Sequence, residues 1–228
     1  MAMKAERDVQ AVVETRLAHE THRLATGLLV DAGGRSSVPC QALAQLRDFL
    51  VVNLRHHHET EDAWLWPLIV AAAPDTKRAL DELSEEHERL DSALDRLADI
   101  DLTGATDHDG DSESMSGHDR HALREAAVTV RDCVRDCVRD HLTHEEPILI
   151  PALRRHITPA QWEEFAQRVI ATTPPVAGHL MVGFLDEAGT PAEVESMLVT
   201  MPPPVKAMLP ALRSQAAADL RVLRGSRS

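Results

Sequence analysis

The chain has 228 residues, enough for one domain with a sizeable core, or one domain carrying an appendage. A formal charge of −13 repels nucleic acid and anionic membrane surfaces, and no apolar run approaches the ~20 residues of a spanning helix. Aromatic residues make up 3% and tyrosine is absent, which excludes a stored tyrosyl radical and leaves a core of Leu, Val and Ala.

In chain order, the N-terminal stretch MAMKAERDVQAVVETR is charged and periodic rather than leader-like, so a cytoplasmic location is expected. A first helix is predicted from about Ala5 to Ala32, ended by Gly33-Gly34-Arg35-Ser36-Ser37. A second runs from Pro39, as its first helical residue, to Ala73. Pro74-Asp75 marks the next turn, with Asp75 as N-cap, and a third helix reaches about Ile100. Its stripe Leu80, Leu83, His87, Leu90, Leu94, Leu97 is the cleanest core face in the chain. Residues 101–118 form an acidic loop rich in Gly and Ser. A fourth helix starts near Asp119 and runs through RDCVRDCVRDH, and Pro147 and Pro151 are expected to bend or end it. These elements predict an all-α, antiparallel up-down-up-down four-helix bundle over residues 1–157. Residues 158–228 are expected to form a helical extension of short pieces, two of them begun by Thr-Pro-Ala-Gln and Thr-Pro-Ala-Glu capping boxes, packed on the bundle or on a second copy as a homodimer contact. Three cysteines (Cys40, Cys133, Cys137) are too few for a disulfide framework and suit a reducing compartment.

The chemistry concentrates in LRHHHETEDAWLWPL, Leu54 to Leu68. Residues four apart share a helix face, so His57 stands over Glu61, and an imidazole with a carboxylate one turn away can grip a cation. His141 and Glu145 repeat the spacing, and in both copies a proline, Pro67 or Pro151, follows the Glu by six residues. Helix one adds His19 and His22, helix three His87. Inward groups from four helices at one level are how bundles build dinuclear metal sites, and mixed imidazole and carboxylate suit Fe, Mn or Zn. Counting from the turn near Pro74 places Glu61 and His87 level in antiparallel helices. The same count at the first connection favours His19 over His22 and leaves both open. His56 and His58 are read as supporting or surface groups, on the view that one inward position per turn is available. Asp62 and Glu146 are read as outward, or as hydrogen-bonded to the second nitrogen of an inward histidine. Trp64 is expected to wall the pocket and Trp66 and Trp162 to serve packing.

Rival chemistries fail on spacing. No histidine has Glu three positions before it, as ferritin-like di-iron bundles require. No His-Glu-x-x-His and no Cys-x-x-Cys-His occurs.

Through ETHRLATGLL, HHHETEDAWLWP, EEHERLDSAL and HLTHEEPILIP, in that order from about Arg16 to Pro151, the chain resembles the hemerythrin family, specifically the bacterial hemerythrin-like (HHE cation-binding) domains. The tail resembles that of actinobacterial members through HITPAQW and its Pro-Pro and Pro-Pro-Pro breaks. The resemblance implies a di-iron pair, oxo- or carboxylate-bridged, with His57, His87, His141 and one or both of His19 and His22 as ligands and Glu61 and Glu145 as carboxylates. It also implies dioxygen as small ligand. One departure stands out: oxygen carriers of the family place two histidines four apart on helix three, whereas Leu83 and Asp91 flank His87 here. A missing imidazole tilts the reading toward peroxide or nitric oxide chemistry, with enzymatic turnover left open. The alternative is an iron- or redox-responsive regulator acting through the C-terminal extension.

Overall fold

A computed structural model describes residues 2–100, 134–199 and 201–225, with the backbone alone for residues 2–9. The predicted acidic loop, the start of the fourth helix, Cys133, His108, His118 and His121 lie outside the described residues. Helix α1 spans Ala2–Gly33, α2 Cys40–Thr60, α3 Trp66–Ala72, α4 Lys77–Ala98 and α5 Arg135–His156. The extension supplies α6 Pro159–Thr172, α7 Gly178–Ala188, α8 Pro191–Leu198 and α9 Pro203–Leu223. There is no strand among the described residues.

α1 packs on α2 and α5, and α4 on α2 and α5, which closes a four-helix bundle in which α2 and α3 form one rod. Between those two, Glu61–Leu65 form a π-helical turn, in which the Trp66 N–H reaches the Glu61 carbonyl five residues back. Proline explains the wide turn: in a regular helix the ring of Pro67 would strike the carbonyl four residues earlier. The second proline-bearing segment behaves differently. Pro147 and Pro151 lie inside α5, which continues to His156 instead of ending. Thr143, whose carbonyl loses its partner at Pro147, is exposed and meets water, while buried Leu149, Ala152 and Leu153 hold the helix in place. Two expected helix starts also shift. Pro39 is the extended residue before α2, and Pro74–Thr76 form a short 3-10 turn that leads into α4 with no side-chain cap from Asp75.

Two apolar layers build the bundle. Leu28, Leu50, Leu54, Leu90, Leu94 and Leu142 belong to one, and Leu65, Trp66, Ile69, Leu80, Leu83 and Leu149 to the other. On each of the four rods the predicted site residues fall between these layers, so a polar level is sandwiched in an aliphatic core.

The extension is stitched onto the bundle. Thr158 and Thr190 form the expected capping boxes with Gln161 and Glu193, which fix the starts of α6 and α8. Leu180, Phe184, Leu220 and Leu223 join the first apolar layer, and the Phe184 ring lies 5.7 Å from that of Phe49. The last helix is longer than the sequence pattern indicated, 21 residues with Pro210 inside it. Gly183 is required where α7 meets α9, because a Cβ there would come within 2.8 Å of the Ala216 Cβ. His179, the histidine without ligand spacing, pairs with Asp219 at 2.9 Å.

Candidate metal centre

Six of the seven predicted site residues converge at the polar level. His19 (α1), His57 (α2), Glu61 (the π turn) and Glu145 (α5) each bring one atom to a group whose members lie within 4.8 Å of one another. His87 (α4) and His141 (α5) form a second such group with His58 (α2). His22 is buried beside them, its ring 4.9 Å from that of His57, but it belongs to neither group.

His58 corrects the sequence reading. Read as a supporting or surface group, it is 1% exposed and stacks on His87 with ring centroids 4.2 Å apart. Adjacent residues on a helix are about 100° apart, and a core-facing stripe is at least that wide. His57 can therefore face α1 while His58 faces α4 and α5, so the one-position-per-turn assumption was too strict. Asp91, the non-histidine residue four beyond His87, supplies the His58 anchor: its Oδ1 lies 3.2 Å from His58 Nδ1. The signal was present in the sequence as an acid one turn after His87. His56 stays outside, with Nε2 2.9 Å from Thr172 Oγ1.

The carboxylates sit between the two groups. Glu61 places Oε1 3.4 Å from His57 Nε2 and Oε2 3.7 Å from His87 Nε2. Glu145 places Oε1 3.5 Å from His19 Nε2 and Oε2 3.4 Å from His141 Nε2. These gaps exceed hydrogen-bond length. They suit donors that share a cation at about 2.0–2.2 Å from each.

The outer nitrogens are held by acids. His19 Nδ1 lies 3.0 Å from Glu146 Oε1, which Arg23 also engages at 2.7 Å. His87 Nδ1 lies 2.9 Å from Asp62 Oδ2, while the Ser84 hydroxyl donates to the other Asp62 oxygen. Asp62 and Glu146 thus take the second of the two roles read for them. His141 Nδ1 lies 3.1 Å from Glu86 Oε2, an anchor that sequence reasoning missed on the outer face of α4. A carboxylate on Nδ1 fixes each ring with Nε2 inward, the arrangement that metal-ligating histidines use, and the inward Nε2 atoms of His87 and His141 lie 3.2 Å apart.

Trp66 and Trp162 pack in the second apolar layer as expected, whereas Trp64 does not wall the site. Trp66, not Trp64, lies against the site, stacked on His87 with centroids 6.1 Å apart, while Trp64 sits under the Arg168 guanidinium.

Electrostatics sharpen the picture. Burial lowers His57 well below the usual histidine value, and His22 and His19 add to the effect. Burial and the neighbouring imidazoles bring His22 to about 3, and burial brings His58 to about 4 against the pull of Asp91. Burial works the same way on His19, but the Glu145 and Glu146 carboxylates outweigh it and raise it to about 9. Burial and the Glu145 charge push Glu61 well above the carboxylate range, whereas His19 and His141 hold Glu145 well below it despite burial. Six inward atoms remain buried without a hydrogen-bond partner: His19, His57 and His58 Nε2, Glu61 Oε2, and both Glu145 carboxylate oxygens. Orphaned buried polar atoms are costly, and imidazole nitrogens facing carboxylate oxygens are what a cation requires, since it would take the place of the proton that His19 otherwise keeps. The residues present fit a metal pair.

The family model for the hemerythrin HHE cation binding domain matches residues 12–153. The chain belongs to the hemerythrin HHE cation-binding family. Comparison with curated proteins and with solved structures returns no match. The hemerythrin match spans all four bundle rods and both histidine groups, and it stops before the extension. This hemerythrin-like chain is thus a metal-binding helical domain, and no helix among the described residues is long and apolar enough to cross a membrane.

Proposed function

We propose that the chain holds two iron ions side by side and binds dioxygen, or reacts with hydrogen peroxide or nitric oxide, at that pair. One observation carries the reading: Glu61 and Glu145 each turn one oxygen toward an imidazole of either histidine group. A carboxylate placed so would be shared by two cations, one on either side. His19 and His57 would hold one ion and His58, His87 and His141 the other, with Glu61 and Glu145 shared. This set provides five imidazoles without calling on His22. An iron pair supplies one electron per metal to a small oxidant. The protein's own part is to orient the imidazoles through Glu146, Asp91, Asp62 and Glu86 and to keep water out. Leu54 and Leu90 on one side, and Leu65 and Leu83 on the other, close the aliphatic walls.

The test is an iron assay joined to ultraviolet–visible spectra before and after anaerobic reduction and return to air. Two irons per chain, with charge-transfer bands that vanish and return, support the proposal. A chain that takes up only zinc or manganese, or whose spectrum ignores the cycle, contradicts it.

A second reading, an iron- or redox-responsive regulator acting through the extension, draws on the position of α6 and α7, which wall the space beside His57 and Glu61. Protease sensitivity of residues 158–228 that is identical with and without metal would count against it.

A further inference from the structure

Between the bundle and the extension lies a cavity of about 190 Å³. Its bundle wall is made by α1, α2 and the π turn; its opposite wall, by α6, α7 and α8, is apolar and includes Phe165, Val169, Ile170, Met181 and Leu185. Two polar side chains of α1 that line it are buried without a hydrogen-bond partner: Thr21, through Oγ1, and His22, through Nδ1. Such groups are found with a partner in the large majority of cases, and each one left over calls for an explanation. No lysine or arginine lines the cavity among the described residues, whereas Glu14 and Glu61 do.

We propose that this cavity is a binding site for a small, neutral, mostly apolar organic molecule that carries one hydroxyl or carbonyl group. Size sets the body of the molecule. A cavity of about 150 Å³ holds benzene, so this one accepts a body of about eight heavy atoms. Chemistry sets the head. The molecule's single polar group pairs with Thr21 Oγ1 or His22 Nδ1, neither of which has a protein partner. Charge sets the exclusion, because a carboxylate ligand would meet Glu14 with no lysine or arginine in the lining to offset it. His57 and Glu61 line the same cavity, so the bound molecule lies beside the His19/His57 half of the metal centre. The proposal gives the extension a function, as the roof of the cavity, and it does not depend on which metal the bundle holds.

Calorimetric titration of the full chain with 4-ethylphenol, ethylbenzene and benzoate tests this. 4-Ethylphenol is expected to bind once per chain, ethylbenzene about five- to tenfold more weakly, and benzoate, of the same heavy-atom count, not detectably. Two cavity-filling variants in α6, Ala166→Phe and Val169→Phe, are each expected to lower 4-ethylphenol affinity at least about tenfold while circular dichroism and metal content match the parent. If one variant fails to fold, the other carries the test. Absence of saturable 4-ethylphenol binding, equal affinity in a folded filling variant, equal affinity for ethylbenzene, or equal affinity for the carboxylate would each overturn the proposal.

Discussion

The two halves of the metal centre are built differently. On the His58/His87/His141 side three imidazoles face inward, each anchored through Nδ1 to an acid (Asp91, Asp62, Glu86), and Trp66 closes the back of His87. On the His19/His57 side there are two imidazoles, with the anchor Glu146 on His19, and an apolar cavity lies alongside. One half is packed shut and the other faces open space. A metal held on the first side is expected to be the more firmly fixed, and a small oxidant to reach the pair from the second.

The largest expected effect removes the comparison altogether. Glu61→Ala with Glu145→Ala deletes the two carboxylates that, among the described residues, face both histidine groups, and iron should fall from two per chain to near none by elemental analysis. Retention of two irons would falsify the bridging role. Next in size is a contrast between two buried histidines. His58→Leu should cost one iron of two, because it strips an imidazole from the three-histidine half, whereas His22→Leu should keep both. If the losses are reversed, His22 is the ligand and His58 is packing.

How much of this was legible in the sequence follows from spacing. His57 with Glu61 and His141 with Glu145 stand out because a one-turn repeat occurs twice, and His87 because it interrupts an otherwise leucine stripe. Helix one was ambiguous because His19 and His22 are both inward and both buried; only three-dimensional placement separates them. His58 was hidden by its neighbours, since three consecutive histidines look like one inward group and two spares until rods are seen on both sides of α2. The bundle was readable from periodicity. The π turn was marked by Pro67 but not its form, and the cavity had no mark at all, since its walls come from segments more than a hundred residues apart.

A smaller effect tests the anchors. Asp62→Asn and Glu86→Gln keep shape but weaken the hold on His87 and His141, and each should lower iron affinity about 10- to 100-fold in a chelator competition. Unchanged affinity in both would remove the argument that the three-histidine half is the better fixed.

The smallest effect is in the pH dependence of the metal-free chain. His22 and His58 have folded values near 3 and 4 against about 6.5 when unfolded, so the unfolded chain binds more protons between those limits. Their contribution is complete above pH 6.5 and lost as pH falls, by about 2 kcal/mol each at pH 5. Glu61, shifted upward, works the other way and opposes part of that loss. His19, raised to about 9, contributes fully below 6.5 and loses that contribution as pH climbs through 9. Denaturant melts of metal-free protein should therefore show lower stability at pH 5 and at pH 9 than near pH 6.5. Iron-loaded protein should show a flatter profile, because ligated imidazoles no longer take up protons. A metal-free profile that rises steadily from pH 6.5 to 5 would show that the imidazoles are not buried as described.

The central claim is that Glu61 and Glu145 join two differently built iron sites. An anomalous difference map recorded at the iron edge from crystals of the iron-loaded chain tests it most directly. The account predicts two peaks, one bound by His19 and His57, the other by His58, His87 and His141, and both touching Glu61 and Glu145. A single peak, or a pair in which His58 is left uncoordinated, would contradict it.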